Sequence, residues 1–164
     1  MGSPATAVEE VLGSCQGTIT GVDDPFDLAR FVAAQRTDYA GAVADLQRGR
    51  KVGHWIWFVF PQVAGLGSSP TSQRYAICSL AEARAYLDHP VLGTRLVECA
   101  RLLLSTPNRD AEEILGDIDA VKVRSSMTLF HLANPDEPAF GEVLDRFYDG
   151  RPDARTLQLL GVGP

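Results

Sequence analysis

At 164 residues the chain is the size of one ordinary domain. With 45% hydrophobic and 22% charged residues it has the balance of a globular protein rather than a disordered one, and its longest apolar run, the six residues Trp55 to Phe60, is far short of the roughly 20 that span a bilayer. A net charge of -6 opposes a phosphate backbone, which disfavours a nucleic-acid polymer as partner.

Met1 to Val22 is rich in Gly, Ser, Ala and Thr and lacks a basic start followed by an apolar stretch. It reads as a flexible N-terminal tail rather than a secretory signal, with residues 23–164 as a single all-helical domain and a cytoplasmic location expected. Cys15, Cys78 and Cys99 are widely spaced and form no CxxC pair, so they read as reduced, mostly packing thiols.

Asp24-Pro25 opens the first predicted helix, with Asp24 as N-cap and Pro25 in the first turn, where its missing N–H is harmless. Leu28, Phe31, Val32 and Gln35 follow at helical spacing. A second helix is predicted from Asp38 to Arg48, with Tyr39, Val43 and Leu46 on one face and Gly49 as its stop, so that the two form a hairpin. The block HWIWFVF is ambiguous, because its aromatic and β-branched residues favour a strand. A lone strand among helices would leave its ladder groups unpaired, so a short buried helix is expected. Pro61 to Pro70 reads as a glycine-containing loop.

The rest of the chain reads as helical. Leu80, Ala83, Tyr86 and Leu87 form a stripe broken at His89-Pro90, and Val91 through Leu104 carry the next helix to Ser105. Asp110 caps a short helix ending at Gly116, and Asp119 is expected to cap another that ends at Asn134-Pro135. Two last helices carry Phe140 to Tyr148 and, after an Asp153 cap, Leu157 and Leu160. The expected fold class is all-α, a single domain of about eight short packed helices.

Five stretches match a known family: DLARFVAAQ from Asp27, GRKVGHWIWFVFPQVAGLG from Gly49, YLDHPVLGTRL from Tyr86, VKVRSSMTLF from Val121 and YDGRPDARTLQLL from Tyr148. On these the chain resembles the bacterial domain of unknown function 1810 family over about Asp24 to Leu160. The resemblance implies an all-helical domain and no settled activity. Some family members carry a calpastatin label, but calpastatin inhibitory segments are disordered repeats, and this chain has neither feature. FVAAQ and HPVLGTRLVE are also similar to enzymes that release ADP-ribose or related N-glycosides.

The segment Gly53 to Gly67, with the cationic pair just before it, concentrates residue types useful at a ligand site. Arg50 and Lys51 can hold a phosphate or carboxylate, Trp57 can stack on a ring or cation, and Gln62 offers an amide. Trp55, Ile56, Phe58, Val59 and Phe60 read as core. His54 suits proton transfer, or equally a hydrogen bond to its neighbours; His89 at a helix boundary reads as structural. The three histidines have no HxH or HExxH spacing, so neither metal nor cofactor is expected.

Lys122 lies one turn from Ser125 and Ser126, which gives donors for an anion or a polar helix surface. Gln35 and Tyr39, also one turn apart, could serve a cleft or an interhelical hydrogen bond. Glu82, Glu98 and Asp119 are carboxylates among apolar stripes. The expectation is a pocket for a small anionic, nucleotide-like or ADP-ribosyl ligand, with His54 as the catalytic candidate and Arg50, Lys51, Trp57, Gln62, Lys122, Ser125, Ser126, Gln35 and Tyr39 binding. The alternative is a non-catalytic helical protein-interaction module.

Overall fold

In the structure, a computed structural model that describes residues 24–162, the predicted hairpin is one helix. The chain runs unbroken through α1 (Ala29–Arg48, 20 residues). Arg36, Thr37 and Asp38 include no proline or glycine to end it, and all three face solvent. Asp24 does cap this helix, but from farther out, its carboxylate accepting the Leu28 and Ala29 N–H groups at 2.7 and 3.0 Å. Pro25 lies in the turn before the helix rather than in its first turn. The expected tail over residues 1–22 lies outside the described residues.

Eight further helices follow: α2 (Ile56–Val59), α3 (Pro70–Arg74), α4 (Leu80–Asp88), α5 (Leu92–Leu104), α6 (Ala111–Leu115), α7 (Asp117–Ala133), α8 (Pro138–Tyr148) and α9 (Ala154–Leu159). The described residues thus hold nine helices and one isolated parallel bridge, Val63 to Ile77. None of these helices is long and apolar enough to cross a membrane. Short α2 confirms the helical reading of HWIWFVF, whereas α3 falls where a loop ends in the sequence reading. Ser69 starts α3 by accepting the Ser72 N–H, with Pro70 in the first turn.

Helix α7 is the central element and packs against α4, α6, α8 and α9, while α1 lies along α2 and α5. From Ser125 to Phe130 every residue of α7 is buried, which explains why that stretch lacks a polar face. Phe130 stacks between Tyr86 and Phe140, with ring centroids 5.2 and 6.0 Å away. Arg30 ties the start of α1 to α4, pairing with buried Glu82 at 3.2 Å and donating to the carbonyls of Arg74 and Ala76. Burial pushes the Glu82 carboxyl up, and Arg30 only partly opposes this.

Two sequence expectations are corrected here. Asp119 is not an N-cap: α7 begins at Asp117, and Asp119 sits in its first turn with its carboxylate turned toward lysines. Cys99 is a free buried thiol whose pKa burial pushes up to about 12, which makes it an inert packing group. Cys78, expected to be reduced, is disulfide-bonded, and Cys15 lies outside the described residues.

Candidate functional site

The polar lead of the signature is held in place by Asp45, a residue that no sequence motif singles out. Gly49 leaves α1 in the left-handed conformation, φ 72°, and the chain turns back so that Asp45 Oδ2 accepts the N–H groups of Val52 and Gly53 and the indole N–H of Trp55, each at 2.9 Å. Asp45 is only 4% exposed. Burial alone would raise its pKa, but the bonds from Gly53, Trp55, Val52 and Arg48 outweigh burial and pull it to about 2. A second anchor, the Lys51 N–H to the Ile114 carbonyl at 2.7 Å, ties the same loop to α6.

This anchoring aims Lys51 at α7. Its ammonium lies 2.8 Å from Asp119 Oδ2, also donates to the Gly53 carbonyl, and stands 5.3 Å from the centre of the Trp55 ring. Lys122 approaches the other Asp119 oxygen at 3.5 Å and lies 4.8 Å from the Trp57 ring centre. One carboxylate therefore joins two lysines, and each lysine faces its own tryptophan. Trp55, Ile56, Phe58, Val59 and Phe60 are core, whereas Trp57 is only half-buried.

Two buried polar atoms in this neighbourhood have no hydrogen-bond partner among the described residues, Trp57 Nε1 and Ser126 Oγ. Ser126 is fully buried and lies one turn beyond Lys122 on the same face of α7. Ser125 is different, since its hydroxyl donates back to the Val121 carbonyl at 3.2 Å. Arg50 and His54 are exposed beside the cluster. Gln62 is half-buried past the end of α2, where its carbonyl accepts the Ile77 N–H at 2.8 Å. The exposed large hydrophobics among the described residues, Val52, Ile118 and Val121, are the immediate chain neighbours of Lys51, Asp119 and Lys122.

Gln35 and Tyr39 do not join this cluster. Gln35 is buried and spends its amide internally, donating to the Phe58 carbonyl at 2.7 Å and the Tyr86 hydroxyl at 3.1 Å while accepting from Arg95 at 3.3 Å. Tyr39 donates its hydroxyl to Glu98, and Arg95 stacks on its ring at 4.4 Å. Burial and Glu98 together hold the phenol protonated. The interhelical hydrogen bond, rather than a shared cleft, describes this pair. Asp45 was not singled out in the sequence, because the donors it collects lie beyond the end of α1. Asp119 was named as a carboxylate among apolar stripes, but its pairing with Lys51 across two elements was not legible.

The fold and the cluster together define a class: a single all-α domain with a lysine–carboxylate–lysine bridge under two tryptophans. The chain belongs to the family described as protein of unknown function (DUF1810), which matches residues 25–160. Among solved structures it is similar to the conserved hypothetical protein Rv1873 from Mycobacterium tuberculosis, at 52% identity over 85% of this chain and 100% of that one, with a TM-score of 0.83. No curated protein matches it.

Proposed function

We propose that the protein binds a small anionic, nucleotide-like or ADP-ribosyl compound at the junction of the signature with α7. The observation that carries this reading is the convergence of Lys51 and Lys122 on the single carboxylate of Asp119, which leaves one positive charge in excess in a partly dry, aromatic surround. A cation pair sharing one carboxylate can accept a second anion. Trp57 Nε1 and Ser126 Oγ add unused hydrogen-bonding capacity beside it. His54, exposed on the loop that Asp45 fixes, is the proton-transfer group for any hydrolysis. In that step water attacks the glycosidic carbon, a carbon–oxygen bond replaces the carbon–nitrogen bond, and the departing nitrogen takes a proton.

Thermal denaturation against nucleotides, NAD derivatives and ADP-ribose tests the reading, since a ligand of the folded state raises the melting temperature. At a hundredfold excess over Kd the gain is about 2.7 kcal/mol, or a rise of roughly 5 °C or more for a chain of this size. No rise with any phosphorylated compound sinks the proposal.

A second reading is supported by the exposed Val52, Ile118 and Val121, at 67%, 74% and 59%. Apolar side chains around a charged centre also suit a protein partner. Replacing all three with Ser separates the readings: partner capture is lost on the second, and small-ligand stabilisation is retained on the first.

A further inference from the structure

We infer that the group recognised at this cluster is an oxyanion, a carboxylate or a phosphate, and that Trp57 holds it by the N–H edge of its indole rather than by its face. The inference rests on the proposed binding at the same cluster and names its chemistry. An indole nitrogen can only donate, and Trp57 Nε1, sealed from solvent and without a partner among the described residues, can meet an acceptor only where Lys122 moves off the ring. The ring face is the less available surface, because the Lys122 ammonium already stands 4.8 Å from its centre.

Ser126 is the second part of the argument. Thr128 and Ser125 on the same helix satisfy their hydroxyls on the carbonyls four residues back, at 2.8 and 3.2 Å. The Lys122 carbonyl stands in that position for Ser126, yet the hydroxyl of Ser126 does not use it and is buried without a partner among the described residues. That leaves the hydroxyl with a donor to spend outside its own helix. It shares its face with Lys122, whose long stem can swing off the Trp57 ring and carry its charge to an incoming oxygen. An indole N–H, a hydroxyl and an ammonium can all donate, which suits the several acceptor oxygens of an oxyanion.

The tryptophan side chains make this directly measurable. The chain has only two, so an 15N spectrum shows two indole N–H resonances, and Trp57→Phe identifies which is which. Inorganic phosphate, acetate, ADP-ribose and adenosine are titrated into the full chain, and the melting temperature is read in parallel. The Trp57 indole resonance is expected to move downfield, saturably, with ADP-ribose and with phosphate or acetate, and to stay still with adenosine, while that of Trp55 holds. Phosphate against acetate tells which oxyanion is preferred.

Ser126→Ala is expected to weaken that titration roughly tenfold, the value of one charge-assisted hydrogen bond, while leaving the melting temperature unchanged or higher. A merely structural hydroxyl would leave the titration unaltered. An unmoved Trp57 resonance in the presence of an ADP-ribose-induced rise in melting temperature overturns the inference and leaves the binding proposal standing. An equal response to adenosine overturns it in favour of ring recognition. No response in either measurement ends both.

Discussion

Asp45 accepts the indole N–H of Trp55 at 2.9 Å across a buried boundary, linking the last turn of α1 to the first residue of the aromatic block. The same oxygen takes two backbone N–H groups from the intervening loop. A charged acceptor with three donors on one oxygen is a strong local constraint, and it sets where Lys51 can reach.

Acid should therefore attack this loop. A carboxyl whose pKa falls from 3.8 in the unfolded chain to about 2 in the fold contributes stability that is fully present above 3.8 and is lost as the pH drops toward 2. That displacement corresponds to about 2.5 kcal/mol at neutral pH. Asp45→Asn is expected to lower the urea-unfolding free energy by about that amount at pH 7. It should also flatten the Asp45 contribution to the pH dependence between 4 and 2, and equal steepness in both proteins would refute the role.

His89 is expected to act as a helix cap. Its Nδ1 accepts the Val91 N–H at 3.1 Å and the Leu92 N–H at 3.2 Å, satisfying donors at the start of α5 that have no helical partner. His89→Ala should cost about 1 kcal/mol, the usual value of a lost N-cap, and His89→Asn should recover most of it. Chemical denaturation of the three proteins checks the order.

Caps of this kind were the legible part of the sequence. Asp110 and Asp153 begin their helices as expected, and Asp110 with Glu113 completes a capping box, because a cap is a contact over three residues and needs no knowledge of the fold. Asp119 looked like one more cap, but Lys51, distant in sequence, claimed its carboxylate instead. The unbroken α1 read as two helices, the first followed to Gln35 and the second from Asp38, although nothing between them stops a helix. Of the candidate binding residues, Lys51, Trp57 and Lys122 share a cluster because the loop after α1 and the short α2 both meet α7. Gln35 and Tyr39 are drawn off by α4 and α5, a tertiary fact their spacing does not encode.

Gly93 should tolerate no side chain. It is buried in the first turn of α5, and a Cβ there would stand 1.9 Å from the Leu87 carbonyl oxygen, a backbone atom that cannot turn aside. Gly93→Ala must push α4 away from α5 and is expected to cost about 3 kcal/mol or more. The melting temperature should fall by roughly 6 to 12 °C. A fall of under 2 °C would mean that the two helices are free to separate there.

Asp119 and its two lysines should prove unequal. The Lys51 side chain is 8% exposed and pairs at 2.8 Å, whereas that of Lys122 is 21% exposed and pairs at 3.5 Å. Removing Asp119 leaves a nearly buried ammonium without its counter-charge, so Asp119→Asn is expected to cost about 3 kcal/mol. Lys122→Met removes the longer, wetter contact and leaves Asp119 still paired with Lys51, so its cost should stay under about 1 kcal/mol. The same Lys122→Met change should nevertheless erase most of the thermal stabilisation by ADP-ribose, because Lys122 is the cation the fold can release. Large instability from Lys122→Met, with ligand stabilisation retained, would assign Lys122 to the fold and remove it from the site.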